Sequence, residues 1–148
     1  MKKEELIQEM ERSIEDFIGE IEQLSEKEFE TTLITGTWTA KDILSHVAAW
    51  DIIFVDLSRT LLRGEPLPDL PDFDAFNAEV VSERRNLSRS QITEEVRKNR
   101  KAYTDFIAAL TEEQLTEPGG DNYTIRGLAR NIISHDQHHL WQIRIRKE

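Results

Sequence analysis

Three of the four histidines in this 148-residue chain lie close together near its end. They fall within the sequence His-Asp-Gln-His-His at positions 135–139. Residues four apart on a helix share one face, so His135 and His139 project side by side, one turn apart. One turn rises ~5.4 Å, and from that separation two imidazoles can converge on one ion at metal–nitrogen distances of ~2.0–2.1 Å. The spacing therefore indicates a transition-metal site.

The fourth histidine, His46, lies on another predicted helix, at the edge of its apolar stripe. On the last helix, His139 falls within the apolar stripe and His135 at its edge, whereas His138 points away. Histidines at the stripe edges of two helices can meet at the mouth of the groove between them. A buried imidazole without a partner costs ~1–3 kcal/mol, and one shared metal ion would satisfy all three.

Each histidine also has a simpler interpretation. His46 taken alone is more often a hydrogen-bonded structural residue, and His-x-x-x-His spacing also arises by chance. His138 is best interpreted as a solvated surface residue. No Glu follows His135, which disfavours the His-Glu-x-x-His class of metallopeptidases. The metal site is therefore a hypothesis about His46, His135 and His139 taken together.

The elements that must position these histidines are helices. Apolar residues recur with a period of about 3.6 residues over four long segments, and no segment convincingly alternates with a period of two. The segments are 3–24, 39–64, 90–110 and 124–146. A shorter helix over 72–86, with Phe73, Phe76 and Val80 inward, follows a proline-rich loop. The sequence predicts an all-α four-helix bundle with a short extra helix between the second and third long helices.

The start of the second long helix carries a capping signal. Thr39 and Asp42 form a Thr-x-x-Asp version of the capping box, in which side-chain oxygens accept free N–H groups. We therefore expect this helix to begin at Thr39, seven residues before His46.

Composition narrows the class of protein. The length predicts one domain over residues 1–148. Lys plus Arg is 19 against 29 for Asp plus Glu, a formal net charge of −10, so the expected partners exclude nucleic acid and membranes. With no cysteine, disulfides, thiolate ligands and a cysteine nucleophile are ruled out. No secretory signal or membrane-spanning stretch is visible, so we expect a cytoplasmic protein.

The two histidine segments resemble the signatures of the DinB/YfiT-like superfamily. An aromatic residue and a Thr begin a helix that leads to a histidine, here Trp38-Thr39 through His46, and a late His-x-x-x-His lies on the final helix at 135–139. The stretch 72–77 is similar to a recurrent middle segment of the superfamily, and the helix order fits over about 1–146. Two such motifs at this separation are more specific than either alone.

This resemblance implies a four-helix bundle, often dimeric, in which three histidines hold a divalent metal. Carried over by position, the ligands are His46, His135 and His139, the same three that the helical pattern selects. We expect zinc or nickel, although three imidazoles also accept iron and copper. We also expect a homodimer.

The superfamily includes transferases and an isomerase that use low-molecular-weight thiols, and many of its members are described as hydrolases. The resemblance therefore implies a metal-dependent hydrolase or thiol S-transferase that acts on a small electrophilic molecule. Any thiol must be a cosubstrate, because the chain has no cysteine. Two alternatives stay open. One is a non-catalytic stress or detoxification protein with a structural or degenerate metal site, and the other is an interaction module whose histidines bind nothing.

The supporting residues admit two interpretations each. Asp136, in the apolar stripe, either accepts an N–H from a ligand imidazole or makes an ordinary buried hydrogen bond. Asn77 either approaches the metal or satisfies local backbone, and Gln142 is placed to shape the site. One interpretation of Asp51 is a solvated carboxylate at the margin of its stripe. Three aromatic residues are either pocket walls or core: Trp50, Phe54 and Trp141.

Overall fold

Long amphipathic helices account for most of the structure, a computed structural model that describes residues 1–70 and 72–146. In chain order the elements are α1 (Lys3–Glu22), α2 (Glu26–Thr31), β1 (Leu33–Thr35), β2 (Trp38–Thr39), α3 (Ala40–Leu62), α4 (Phe73–Glu83), α5 (Arg89–Ala108), α6 (Glu112–Thr116) and α7 (Ile125–Ile145), with a 3₁₀ turn at Gly120–Asn122. Helices α1, α3, α5 and α7 form the four-helix bundle, and α4 is the short extra helix. The predicted fold class is confirmed.

The capping box predicted at Thr39 is present. The Thr39 hydroxyl accepts from the Asp42 backbone N–H at 3.2 Å, and the Asp42 carboxylate accepts from the Thr39 backbone N–H at 3.0 Å. This reciprocal pair fixes the first turn of α3 and therefore the turn on which His46 lies. Equivalent boxes begin α2, α5 and α6, at Ser25, Ser88 and Thr111.

The interior contains two hydrophobic clusters, one towards each end of the bundle. The first includes Phe17, Phe29, Ile43, Val47 and Ile92. The second includes Leu6, Met10, Tyr103, Ile107 and Ile132. Each long helix buries at least one polar residue between these clusters: Ser13 on α1, Asp51 on α3, Arg100 on α5 and Asp136 on α7. A polar layer thus crosses the middle of the bundle.

The short elements differ from the sequence prediction. Helix α2 and the β1–β2 hairpin lie between the first two predicted long helices, with Leu33 paired to Thr39 and a positive φ of 54° at Gly36 in the turn. Elements this short show no periodicity, so hydrophobic patterning did not reveal them. On α4, Val80 is buried as expected, but Phe73 is 48% exposed. Within the described residues, no helix is both long and apolar enough to cross a bilayer.

Candidate metal centre

Three histidine rings from two helices converge at one point between α3 and α7. The Nε2 atom of His135 lies 2.8 Å from Nε2 of His46 and 3.1 Å from Nε2 of His139. His46 and His139 are buried, and His135 is partly buried. Their nitrogen atoms all lie within 4.8 Å of one another, close enough to bind one metal ion. His138 is exposed.

The tautomer of His46 follows from its neighbours. The side-chain oxygen of Asn77, on α4, lies 3.0 Å from His46 Nδ1 and 3.2 Å from the indole Nε1 of Trp50. An indole N–H only donates, so the Asn77 atom that both groups contact is the amide oxygen. His46 Nδ1 must therefore donate to it, which leaves the lone pair on Nε2. That lone pair points towards the other two histidines.

Gln142 orients His139 in the same way. Its side-chain oxygen lies 2.7 Å from His139 Nδ1, one turn further along α7. Nδ1 therefore carries the proton, and Nε2 of His139 presents its lone pair to His135. Asn77 contacts the His46 imidazole, and its approach to a metal stays a prediction. Gln142 contacts His139, and its role in shaping a metal site stays a prediction.

His135 lies between two nitrogen acceptors. A single proton on its Nε2 can be donated to only one of them, and its buried Nδ1 has no hydrogen-bond partner among the described residues. A cation would engage Nε2 of all three rings at once, whereas Nδ1 of His135 would then carry the proton and still lack a partner among the described residues. The donor set, three neutral imidazoles and no thiolate, fits zinc, nickel, iron or copper and leaves coordination positions open.

Burial keeps these rings neutral. It lowers the pKa of His46 to about 4, against the opposing effect of the hydrogen bond to Asn77. Burial also lowers the pKa values of His135 and His139, and charge on neighbouring histidines lowers them further. Neutral imidazole is the form that binds metals, so the site is ready to bind at neutral pH.

The metal-free protein should lose stability as pH falls from 7.5 to 5. The folded-state pKa of His46 is about 4 against 6.5 in the unfolded chain, so the unfolded chain takes up more protons in this window. The shift costs about 2 kcal/mol of unfolding free energy by pH 5 from His46 alone. Urea unfolding with chelator present measures it. His46→Gln should make the unfolding free energy depend less on pH, and His138→Gln should not. Equal slopes of unfolding free energy against pH in the two variants would contradict the lowered pKa of His46.

Aromatic rings line one side of the histidine cluster. The Trp38 and Trp50 rings lie 5.1 and 5.6 Å from the His46 ring, centroid to centroid. Phe73 and Phe76 of α4 pack against Trp50 at 5.4 and 5.6 Å. Trp50 is therefore a wall residue of the site, and α4 contributes both this wall and Asn77.

The other two aromatic residues have different positions. Phe54 is partly buried, packs beside Trp50 and contacts the second hydrophobic cluster. Trp141 lies on the outer surface of α7, 56% exposed, and stacks against the exposed His138. It therefore forms neither core nor a wall of the histidine cluster.

Asp51 and Asp136 contact neither histidines nor solvent. Both bind Arg100 on α5, Asp51 through Nε at 2.8 Å and Asp136 through Nη1 at 2.7 Å. Asp51 is only 1% exposed, so the interpretation as a solvated carboxylate was wrong. Its partner lies on another helix and could not be identified from the pattern around Asp51. Asp136 makes a buried hydrogen bond, although to a guanidinium and to the Ser13 hydroxyl at 2.7 Å.

Arg100 is the residue that sequence analysis missed. Burial opposes its charge, but Asp51 and Asp136 raise its pKa far above the ordinary value. The sequence pattern does indicate that Arg100 is buried, because it continues the i, i+4 spacing from Ile92 and Val96 along the buried face of α5. A charge in an apolar stripe indicates a buried partner of opposite charge.

Comparison with protein families identifies the chain. The family model described as the DinB superfamily matches residues 9–143. The chain belongs to the DinB superfamily. The recognition made from the motifs around His46 and at 135–139 is therefore confirmed. Among curated proteins, no match to this DinB chain is found.

Solved structures share the fold at low sequence identity. YfiT from Bacillus subtilis, described as a probable metal-dependent hydrolase with an unusual four-helix bundle topology, is 17% identical with a TM-score of 0.80 over 96% of this chain and 83% of its own. DfsB, a sibling lethal factor precursor, is 18% identical with a TM-score of 0.83 over 99% and 95%. The colibactin self-resistance protein ClbS is 12% identical with a TM-score of 0.82 over 96% and 93%.

The expectation that partners exclude nucleic acid is wrong. ClbS was crystallised in complex with double-stranded DNA, so a DinB bundle of this shape accommodates a nucleic-acid partner. The expectation rested on the formal net charge of −10. Net charge sums over the whole chain, whereas a DNA contact depends on the local arrangement of charge on one face.

Proposed function

We propose that this DinB protein is a metal-dependent enzyme, a hydrolase or a thiol S-transferase, that acts on a small electrophilic molecule. The observation that supports this is the convergence of three Nε2 atoms, with the opposite ring nitrogens of His46 and His139 held by amide oxygens. A bound divalent ion, zinc or nickel, would lower the pKa of a water or thiol ligand and polarise a substrate carbonyl.

The chain's own residues bind and orient. Asn77 and Gln142 fix the rotation and tautomer of two imidazoles, which is the task of hydrogen-bond partners behind metal ligands. Trp38 and Trp50 cover His46 and present apolar surface on that side of the site. An S-transfer reaction requires a thiol cosubstrate, because the chain has no cysteine.

The experiment compares chelator-stripped protein with protein reloaded with Zn²⁺ or Ni²⁺. The hydrolysis probe is 4-nitrophenyl acetate, in which water oxygen bonds to the acyl carbon and 4-nitrophenolate leaves. The transfer probe is cysteine with 1-chloro-2,4-dinitrobenzene, in which sulfur bonds to the ring carbon and chloride leaves. The reaction rate of reloaded protein should exceed that of stripped protein in at least one assay. His46→Ala should abolish this difference in rate. Equal rates with a full metal load would contradict catalysis and favour a non-catalytic detoxification protein.

Replacement of Asn77 by leucine should weaken metal binding by about 10–100-fold, because His46 then loses the acceptor for its Nδ1–H. Competition with a chromophoric zinc chelator measures the dissociation constant. Asn131→Leu, at an exposed position on α7, is the matched control and should bind zinc like the native protein. Native affinity in Asn77→Leu would show that this hydrogen bond does not support the site.

A second candidate function is binding of double-stranded DNA, and the observation that favours it is the ClbS complex. Fluorescence anisotropy of a labelled duplex tests it at low and physiological salt. Saturable binding that weakens as salt rises would support DNA binding, since phosphate contacts release counterions. No change in anisotropy at micromolar protein would argue against it.

The homodimer and the cytoplasmic location remain predictions that rest on family resemblance and composition. Light scattering coupled to size-exclusion chromatography tests the dimer directly. A mass of one chain over a range of concentrations would contradict it.

A further inference from the structure

The Arg100 side chain uses every donor it has. Nε and Nη2 donate to the two carboxylate oxygens of Asp51 at 2.8 and 3.0 Å. Nη1 and Nη2 donate to the two carboxylate oxygens of Asp136 at 2.7 and 3.1 Å, and Nη1 also donates to the Met10 backbone carbonyl at 2.6 Å. A guanidinium has five N–H groups in one plane, so none is left without a partner.

These contacts reach all four long helices. Asp51 lies on α3, Asp136 on α7, Met10 on α1, and Arg100 itself on α5. Ser13 of α1 adds a hydrogen bond to Asp136. All of this occurs in the polar layer between the two hydrophobic clusters, where planar, directional bonds determine the relative position of the helices. Apolar contacts alone tolerate small sliding movements much better.

Each aspartate shares a helix with a histidine of the candidate metal centre. Asp51 follows His46 on α3 by just over one turn, and Asp136 is the immediate neighbour of His135 on α7. A shift of α3 against α7 at Arg100 would therefore change the separation of the histidine nitrogens. Metal sites are sensitive to such shifts, because metal–nitrogen distances are confined to within about 0.2 Å.

We propose that Arg100 is a positioning residue for the metal centre: by holding Asp51 and Asp136 together, it sets the spacing between His46 on α3 and the two histidines on α7. The inference rests on the proposed metal site. Two carboxylates and one backbone carbonyl thus converge on a single guanidinium.

Arg100→Lys tests the proposal. An ammonium group cannot bridge two carboxylates and a carbonyl in one plane, so the α3–α7 spacing should relax. We expect at least tenfold weaker Co²⁺ and Zn²⁺ binding, and visible absorption bands of the Co²⁺ protein that are shifted or broadened. Both readouts are made below the unfolding transition, which is measured by circular dichroism on the same samples.

Arg89→Lys is the matched control. Its guanidinium binds two backbone carbonyls, those of Ile21 and Leu24, and one carboxylate, Glu26, and none of these hydrogen bonds reaches α3 or α7. We expect Arg89→Lys to lower stability and leave the Co²⁺ spectrum and the metal affinity unchanged.

Ser13→Ala is the milder variant if Arg100→Lys does not fold. It removes one hydrogen bond to Asp136 and should change the Co²⁺ spectrum and the metal affinity in the same direction as Arg100→Lys, by less.

The outcomes separate the two proposals. If the native protein binds no Co²⁺ or Zn²⁺, the metal site fails and this inference fails with it. If the native protein binds metal and Arg100→Lys, or Ser13→Ala in its place, retains the native spectrum and affinity, only the positioning role is overturned. Equal losses in Arg89→Lys would also overturn it, since they would reflect general destabilisation.

Discussion

Replacing His139 by alanine is expected to remove the bound metal while the bundle stays folded. Two imidazoles would remain, and His135 would lose one of the two nitrogens that face it at close range. The hydrophobic clusters at the two ends of the bundle do not depend on the site, so the helices should persist, unlike those of a zinc finger. Elemental analysis should fall from about one metal ion per chain to near zero, with unchanged ellipticity at 222 nm.

His138→Ala is the control for this substitution. His138 is exposed and stacks on Trp141, outside the convergence of the three rings. The His138→Ala variant should retain the metal content of the native protein. Loss of metal in His138→Ala but not in His139→Ala would mean that the ligand assignment is wrong. Collapse of ellipticity in His139→Ala would instead point to a structural role for the site.

Replacing Arg100 by leucine should destabilise the protein by about 3–5 kcal/mol, because it leaves two buried carboxylates without their cation. Asp51 and Asp136 are almost completely inaccessible to water, and Arg100 is the one cation that hydrogen-bonds to them among the described residues. Urea unfolding at neutral pH with chelator present measures the loss independently of metal. The triple variant Asp51→Leu, Arg100→Leu, Asp136→Leu should recover much of the stability, since apolar replacements of buried ion networks are often neutral or stabilising.

A loss below about 1 kcal/mol in Arg100→Leu would contradict this prediction, because surface ion pairs contribute no more than that. Such a result would mean that water reaches the polar layer. A triple variant less stable than Arg100→Leu would show that the space between the two hydrophobic clusters cannot be filled by apolar side chains.

The long helices could be predicted because each carries several turns of regular apolar spacing. The Thr39 cap was predictable from two residues, since both partners lie in one turn. The convergence of His46 with His135 and His139 followed from the positions of the three on their stripes. Their role as ligands stays a prediction.

Contacts between distant elements could not be predicted in the same way. Asn77 lies 31 residues from His46, on a helix whose packing is set by aromatic contacts rather than by its own pattern. The partner of Asp51 lies 49 residues away, so local spacing alone indicated a solvated carboxylate. Arg100 was visible as a charge in an apolar stripe, but only the assembled bundle shows which carboxylates neutralise it.

The contacts of Arg100 should also make assembly of the four helices cooperative. A partial bundle lacking α3 or α7 would enclose the guanidinium with one carboxylate missing, and one lacking α5 would enclose two like charges. Desolvation disfavours each of these species relative to the hydrated open chain. We therefore expect few intermediates with three docked helices and a single cooperative unfolding transition. Only the complete bundle surrounds all three charged groups with partners.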